Sequence, residues 1–204
     1  MAGRFCAVEP IDPARHARDL FAANATAPNA GNWTYLPYGP FDDIGSYRNW
    51  LEQECLGDDP LYFAIVVDGA AVGVASYLRI EPAFGVIEIG NINASPTLQA
   101  TTASTEAMYL MMRRVFDELG YRRYEWKCDA LNEPSRRAAA RLGFSYEGTF
   151  RRHLLYKGRS RDPAWFSIVD EEWPARRAAF EAWLSDVNFD ARGNQRRSLS
   201  SFMA

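Results

Sequence analysis

The sequence predicts a mixed α/β domain: a splayed mixed sheet of about seven strands flanked by helices. Three observations predict it. Residues 61–67, 72–78 and 86–92 are rich in β-branched and aromatic side chains and are joined by turn signals, which makes an antiparallel meander. Residues 103–119 then carry apolar side chains at helical spacing, followed by a short strand and another helix, so the pairing style changes in mid-sheet. Finally, 204 residues with a hydrophobic fraction of 48% and a charged fraction of 24% suffice for one core but not for two generous domains.

Each element has a local reason. Phe5, Ala7 and Val8 form a first strand, stopped by Pro10. Asp12 followed by Pro13 is an N-cap with proline at the first helical position, opening a helix that buries Leu20 and Phe21. A stretch rich in Asn, Ala, Pro and Gly, residues 24–32, ends it. A second helix spans residues 43–54, with Ile44, Tyr47, Leu51 and Cys55 on one face. Between the two helices, residues 33–41 form an aromatic loop, either pinned to the core by its rings or facing a substrate as a lid.

Asp68-Gly69 turns the first hairpin and residues 81–85 the second. Gly120 closes the long helix as a C-cap. Residues 124–128 are a strand, and Asn132 caps a helix that ends at Leu142-Gly143-Phe144. Residues 150–156 and 165–169 supply the last strands, and Pro174 begins a helix carrying Phe180, Trp183 and Leu184. A single domain thus covers residues 1–189, and residues 190–204, with Arg192, Arg196 and Arg197 among serines, form a flexible tail.

Composition excludes several function classes. A net charge of −3 gives no basic field for nucleic acid. Cys6, Cys55 and Cys128 stand far apart, and His16 and His153 are the only histidines, so neither a disulfide framework nor a metal site is expected. No apolar run approaches a membrane span, and the expected location is the reducing cytoplasm.

Two motifs carry chemistry. Gln99-Ala100-Thr101-Thr102-Ala103-Ser104 enters the long helix with small residues, whose backbone N–H groups, with the helix dipole, suit a phosphate; such residues also begin ordinary helices. This run resembles the coenzyme A pyrophosphate signature of the GNAT acetyltransferases, Gln/Arg-x-x-Gly-x-Gly/Ala. Asn132-Glu133-Pro134-Ser135, followed by Ala140-Arg141-Leu142-Gly143-Phe144, resembles that family's fifth strand and fourth helix. The resemblance covers residues 4–173 and is nearest to the branch of the Rim-type ribosomal-protein N-acetyltransferases. It implies acetyl-CoA as acyl donor, an amine as acceptor and no metal, and leaves a homodimer open. It departs from the signature at Thr102 and Ser104, and Ala139 stands where many members carry a tyrosine acid. The Rim-like branch implicates a serine three residues after the asparagine, and Ser135 holds that place.

The residue chemistry is compatible with direct acetyl transfer. Backbone N–H groups of residues 90–92, ending at Ile92, suit an oxyanion where the sheet splays. Asn132 is placed for a pantetheine arm or a water, and Ser135 for the sulfur; both also suit plain capping. Glu88 is the candidate base, or else an ion-pair partner. Trp33, Tyr35 and Tyr38 are the candidate acceptor wall. At pH 7 a lysine amine is neutral about once in 2,500 molecules and an α-amine roughly once in ten, so an α-amine or small primary amine is the easier acceptor. The alternative is a catalytically silent acyl-CoA-binding module, motivated by Ala139 and the altered loop.

Overall fold

The structure, a computed structural model, describes residues 1–26 and 31–203, so residues 27–30 of the Asn24-to-Asn32 stretch lie outside the described residues. The chain runs β1 (Ala7–Pro10), α1 (Pro13–Ala25), α2 (Ile44–Glu54), β2 (Leu61–Val67), β3 (Ala70–Glu81), β4 (Val86–Ala94) and α3 (Thr102–Arg113). It continues with β5 (Arg123–Asp129), α4 (Glu133–Arg141), β6 (Ser145–Thr149), β7 (Leu154–Tyr156), β8 (Arg159–Arg161), β9 (Pro163–Val169) and α5 (Trp173–Leu184). Seven strands form one sheet in the order β1-β2-β3-β4-β5-β9-β6, and β7 pairs with β8 alone. The β4–β5 pair is parallel and every other pair in the sheet is antiparallel. This is the mixed α/β sheet that the sequence predicts.

Helix starts follow the expected caps. Asp12 accepts from the N–H groups of Ala14 and Arg15, and Asp43 from that of Ser46. Strand alternation then sorts the side chains by face. Tyr124, Trp126 and Cys128 join the core formed with α3, α4 and α5, around Ile87, Ile89, Met111 and Phe180. A second cluster, Leu20, Tyr47, Leu51, Tyr62, Ala64 and Val74, lies under α1 and α2 on the opposite face. Glu88 pairs in register with Glu125, so both belong to that opposite face, out of phase with Ile87 and Ile89.

Several elements differ from expectation. Ile44 is exposed rather than on the buried face of α2. The long helix is α-helical only to Arg113 and continues as a π turn, Arg114–Glu118, which brings both Val115 and Phe116 inward. The strand expected at residues 150–156 is displaced. The sheet is completed by Ser145–Thr149, and only Leu154–Tyr156 of the expected span is extended, in the β7–β8 hairpin. Ser-Tyr-Glu-Gly-Thr is an exposed edge strand and lacks the apolar alternation that marks a half-buried one. The C-terminal segment, expected as a tail, lies folded back on α5. Leu199 is fully buried, Phe202 and Met203 pack on the same core, and Gln195 accepts from the Trp183 indole at 2.8 Å.

Candidate active site

The site begins where pairing stops. The β4–β5 register runs from Val86↔Arg123 to Ile89↔Trp126, and beyond that the strands diverge. Asn91 adopts a left-handed conformation, φ 50°, at a register shift between β3 and β4. Its carbonyl accepts from Tyr38 Oη at 3.1 Å, and its Nδ2 donates to Ser76 Oγ at 3.0 Å. The divergence opens a cleft of about 1360 Å³ that contains residues of every candidate set except Trp33 and the Thr101–Ala103 segment.

One end of the cleft is the start of α3. Ala100 takes a left-handed conformation, φ 58°, just before Thr101, the N-cap. Thr101 Oγ1 accepts the Ser104 N–H at 3.1 Å, so that group, expected to be available to an anion, is already used. Gln99 Nε2 is likewise spent on the Ala94 carbonyl at 2.8 Å. Thr102 and Ala103 begin the helix, and their N–H groups have no acceptor among the described residues. Two arginines on α4 face this end and were missed in the sequence: Arg137, and Arg141, whose Nη2 donates to Thr105 Oγ1 at 3.0 Å. Arg141 has no acidic partner within 4 Å among the described residues. Their four-residue spacing on one helix face was the available signal.

At the middle, Asn132 caps α4 by accepting the Ser135 N–H at 3.2 Å. Ser135 Oγ accepts the Trp126 indole N–H at 3.0 Å, and its own O–H, the remaining donor, lies beside the Cys128 thiol. Cys128 lies beside it; burial pushes that thiol up, and the hydrogen bond with Ser135 opposes the rise. Ala139 is fully buried against the core. Ile92 lines the cleft on the β4 side.

The remaining wall is charged and aromatic. Glu88, 2% exposed, is gripped by Arg79 through two 2.6 Å hydrogen bonds and by Lys127 at 2.8 Å. Lys127 also reaches Glu125 at 2.7 Å and sits 3.7 Å from the centre of the Trp165 ring. This is the ion-pair arrangement: two cations occupy both carboxylate oxygens, so the candidate base has no uncommitted oxygen facing the cleft. Arg79 and Lys127 were not singled out in the sequence, although the Glu-Trp-Lys-Cys-Asp alternation of β5 marks a charged face. In the aromatic loop the three candidates part company. Trp33 is buried among Tyr38, Phe41 and Tyr47 as a structural peg, away from the cleft. Tyr35 and Tyr38 do line the cleft; Tyr38 stacks on Trp50 at 4.1 Å, and burial pushes its phenol well up.

Residues 7–145 match the acetyltransferase (GNAT) domain family. The chain belongs to the GNAT family. Similar solved structures include a GCN5-related N-acetyltransferase from Brucella melitensis, 45% identical, with a TM-score of 0.96 over 99% of this chain and 92% of that one. A second, described as a probable GNAT-family acetyltransferase of Chromobacterium violaceum, is 40% identical with a TM-score of 0.79, over 85% of this chain and 87% of that one. Among curated proteins, the prophage-derived uncharacterized N-acetyltransferase YokL of Bacillus subtilis is 25% identical over 62% of this chain and 71% of its own length. As a GNAT acetyltransferase the chain is an acyltransferase whose family takes its acyl group from acetyl-CoA.

Proposed function

We propose that this GNAT protein acetylates a primary amine, either a protein N-terminal α-amine or a small-molecule amine, in the cleft between β4 and β5. The observation that carries the reading is the shape of the splay. The start of α3 stands at one end, a serine hydroxyl that accepts the Trp126 indole N–H in the middle, and an aromatic wall opposite. The residues fit the donor. Thr102 and Ala103 N–H groups with Arg141 take the pyrophosphate, and Asn132, Ala138 and Leu142 border the pantetheine path. Bound acetyl-CoA supplies the acyl carbon and the departing sulfur.

The protein's own groups do the rest. Backbone N–H groups of residues 90–92, freed from β5 pairing, face the oxygen on which charge develops. Ser135 donates to the sulfur, and the Trp126 N–H on its oxygen polarises that donation. A carbon–nitrogen bond forms, a carbon–sulfur bond breaks, and the amine loses one proton while the sulfur gains one. Glu88 holds Lys127 and Arg79 in place. An α-amine, neutral roughly once in ten at pH 7, can do without a strong base. Ser135, together with the alanine at position 139, supports a reading nearest the Rim-type branch.

The test is thiol release from acetyl-CoA with a panel of primary amines and N-terminal peptides, the product weighed by mass spectrometry. Release coupled to an amine heavier by one acetyl group is expected. Calorimetric binding of coenzyme A with no turnover on any amine would instead make the protein a silent acyl-CoA-binding module.

A further inference from the structure

At the acceptor end of the cleft two opposite charges have no ion-pair partner among the described residues. Asp129 closes β5, is 3% exposed and lines the cleft. Its carboxylate accepts the Leu131 N–H at 2.9 Å and the Tyr156 hydroxyl at 3.3 Å, but has no cation within 4 Å among the described residues. Arg161, on β8, lines the same cleft. Its Nε is buried with no hydrogen-bond partner, and its guanidinium makes no ion pair among the described residues. Tyr156 touches both: its hydroxyl donates to Asp129, and its ring lies 5.5 Å from the Arg161 guanidinium. The Ala130 N–H donates to the Asp162 carbonyl at 2.8 Å, which ties the hairpin to the end of β5.

The neighbouring buried carboxylates of β4 and β5, by contrast, are matched. Glu88, Glu125 and Lys127 neutralise one another with Arg79 and Arg123. A buried charge without a partner is costly, so an unmatched pair kept apart by a tyrosine is an arrangement that a ligand completes. A carboxylate there suits an ammonium or amine, and a guanidinium fork suits the paired oxygens of a carboxylate or phosphate. Arg159, whose guanidinium lies 5.6 Å from the rings of both Tyr35 and Tyr156, adds positive charge at the rim.

We propose that the acceptor is a small primary amine that also carries an anionic group, with Asp129 receiving the amine and Arg161 the anion. The proposal rests on the acetyl-transfer reading and narrows it. A protein N-terminus fits poorly, because its nearest carboxyl has become an amide, and a plain alkylamine leaves Arg161 unmatched. The coenzyme phosphates are taken at the other end of the cleft, by α3 and Arg141.

The test is steady-state thiol release by the wild-type protein with α-amino acids, the same compounds as amides, aminoalkylphosphonates and an N-terminal peptide. A charge-assisted hydrogen bond is worth about 1.5–3 kcal/mol, so kcat/KM should be ~10- to 150-fold higher for an anionic amine than for its neutral counterpart. A preference for the amino acid or for the phosphonate identifies the anion. Arg161→Gln should erase the preference by raising the acceptor KM, while the calorimetric Kd for coenzyme A and the melting temperature stay unchanged. Amides or the peptide turning over as fast as the anionic amines would overturn the proposal and leave acetyl transfer standing. So would an Arg161→Gln variant that loses coenzyme A affinity instead. Absence of thiol release with every amine, despite coenzyme binding, would overturn the acetyl-transfer reading itself and this proposal with it.

Discussion

Replacing Glu88 by glutamine separates a structural carboxylate from a catalytic base. The substitution keeps shape and removes charge from a residue that is 2% exposed and contacts both Arg79 and Lys127. Removing one member of a buried pair costs about 3–5 kcal/mol when the other charge is left bare. Here neither is left bare. Lys127 keeps Glu125 at 2.7 Å, and the Arg79 side chain is 57% exposed and can return to water. The expected loss is therefore about 2–3 kcal/mol, below that range or at its lower edge. For a domain of this size that lowers Tm by ~4–12 °C. A general base would instead contribute about 10²- to 10⁴-fold to kcat. Differential scanning calorimetry and saturating kinetics on the same preparation decide. The account predicts a lower Tm and less than about a tenfold fall in kcat per folded molecule. A fall of a hundredfold or more with Tm unmoved would refute it.

Four further outcomes are expected. Ser135→Ala should lower kcat more than coenzyme affinity, and it also strands the Trp126 indole N–H at a cost of about 1–3 kcal/mol, read as a lower Tm. A Tm loss with kcat intact would leave Ser135 only a cap-turn residue. Thr102→Pro is a clean deletion of one N–H, because Thr102 is the first helical residue and Thr101 before it is extended, ψ 164°. Coenzyme A affinity should drop by ~10- to 150-fold with little change in Tm, and an unchanged calorimetric Kd would move the pyrophosphate elsewhere. Tyr38→Phe keeps the Trp50 stack and removes only the hydrogen bond to Asn91; the acceptor KM should rise while the coenzyme KM holds, and equal changes in both would take the loop out of the site. Glu147 is held down to about 2, mainly by its hydrogen bonds from Arg123, against 4.5 when unperturbed. Because the folded value is the lower one, its contribution is present above pH 4.5 and is lost as pH falls towards 2. Glu147→Gln should flatten that part of a melting-temperature profile against pH.

Much of the fold was legible because the signals are local. Asp12-Pro13, Asp43, Asp68-Gly69 and Asn132 each mark a boundary through their own hydrogen bonds or backbone angles, and each stands where the sequence puts it. The meander and the parallel β4–β5 step follow from strand composition and the long helix between them. What was not legible depends on partners distant in sequence. The edge strand Ser145–Thr149 is extended because β9 pairs with it, not because of its own composition. The π turn after Arg113 leaves no mark that a 3.6-residue period reveals. The role of Glu88 was undecided because Arg79 and Lys127 reach it from β3 and β5, and no spacing within β4 announces that. Trp33 and Tyr38 read alike in the loop, yet one is enclosed by Phe41 and Tyr47 and the other also faces the cleft.

The central claim is that the splay between β4 and β5 holds the donor with its sulfur at Ser135. A crystal structure of the protein with coenzyme A tests it most directly. The account predicts the pyrophosphate on the N–H groups of Thr102 and Ala103 beside Arg141, and the sulfur within hydrogen-bond reach of Ser135 Oγ. A coenzyme seated outside the splay, or with its sulfur turned away from Ser135, would contradict it.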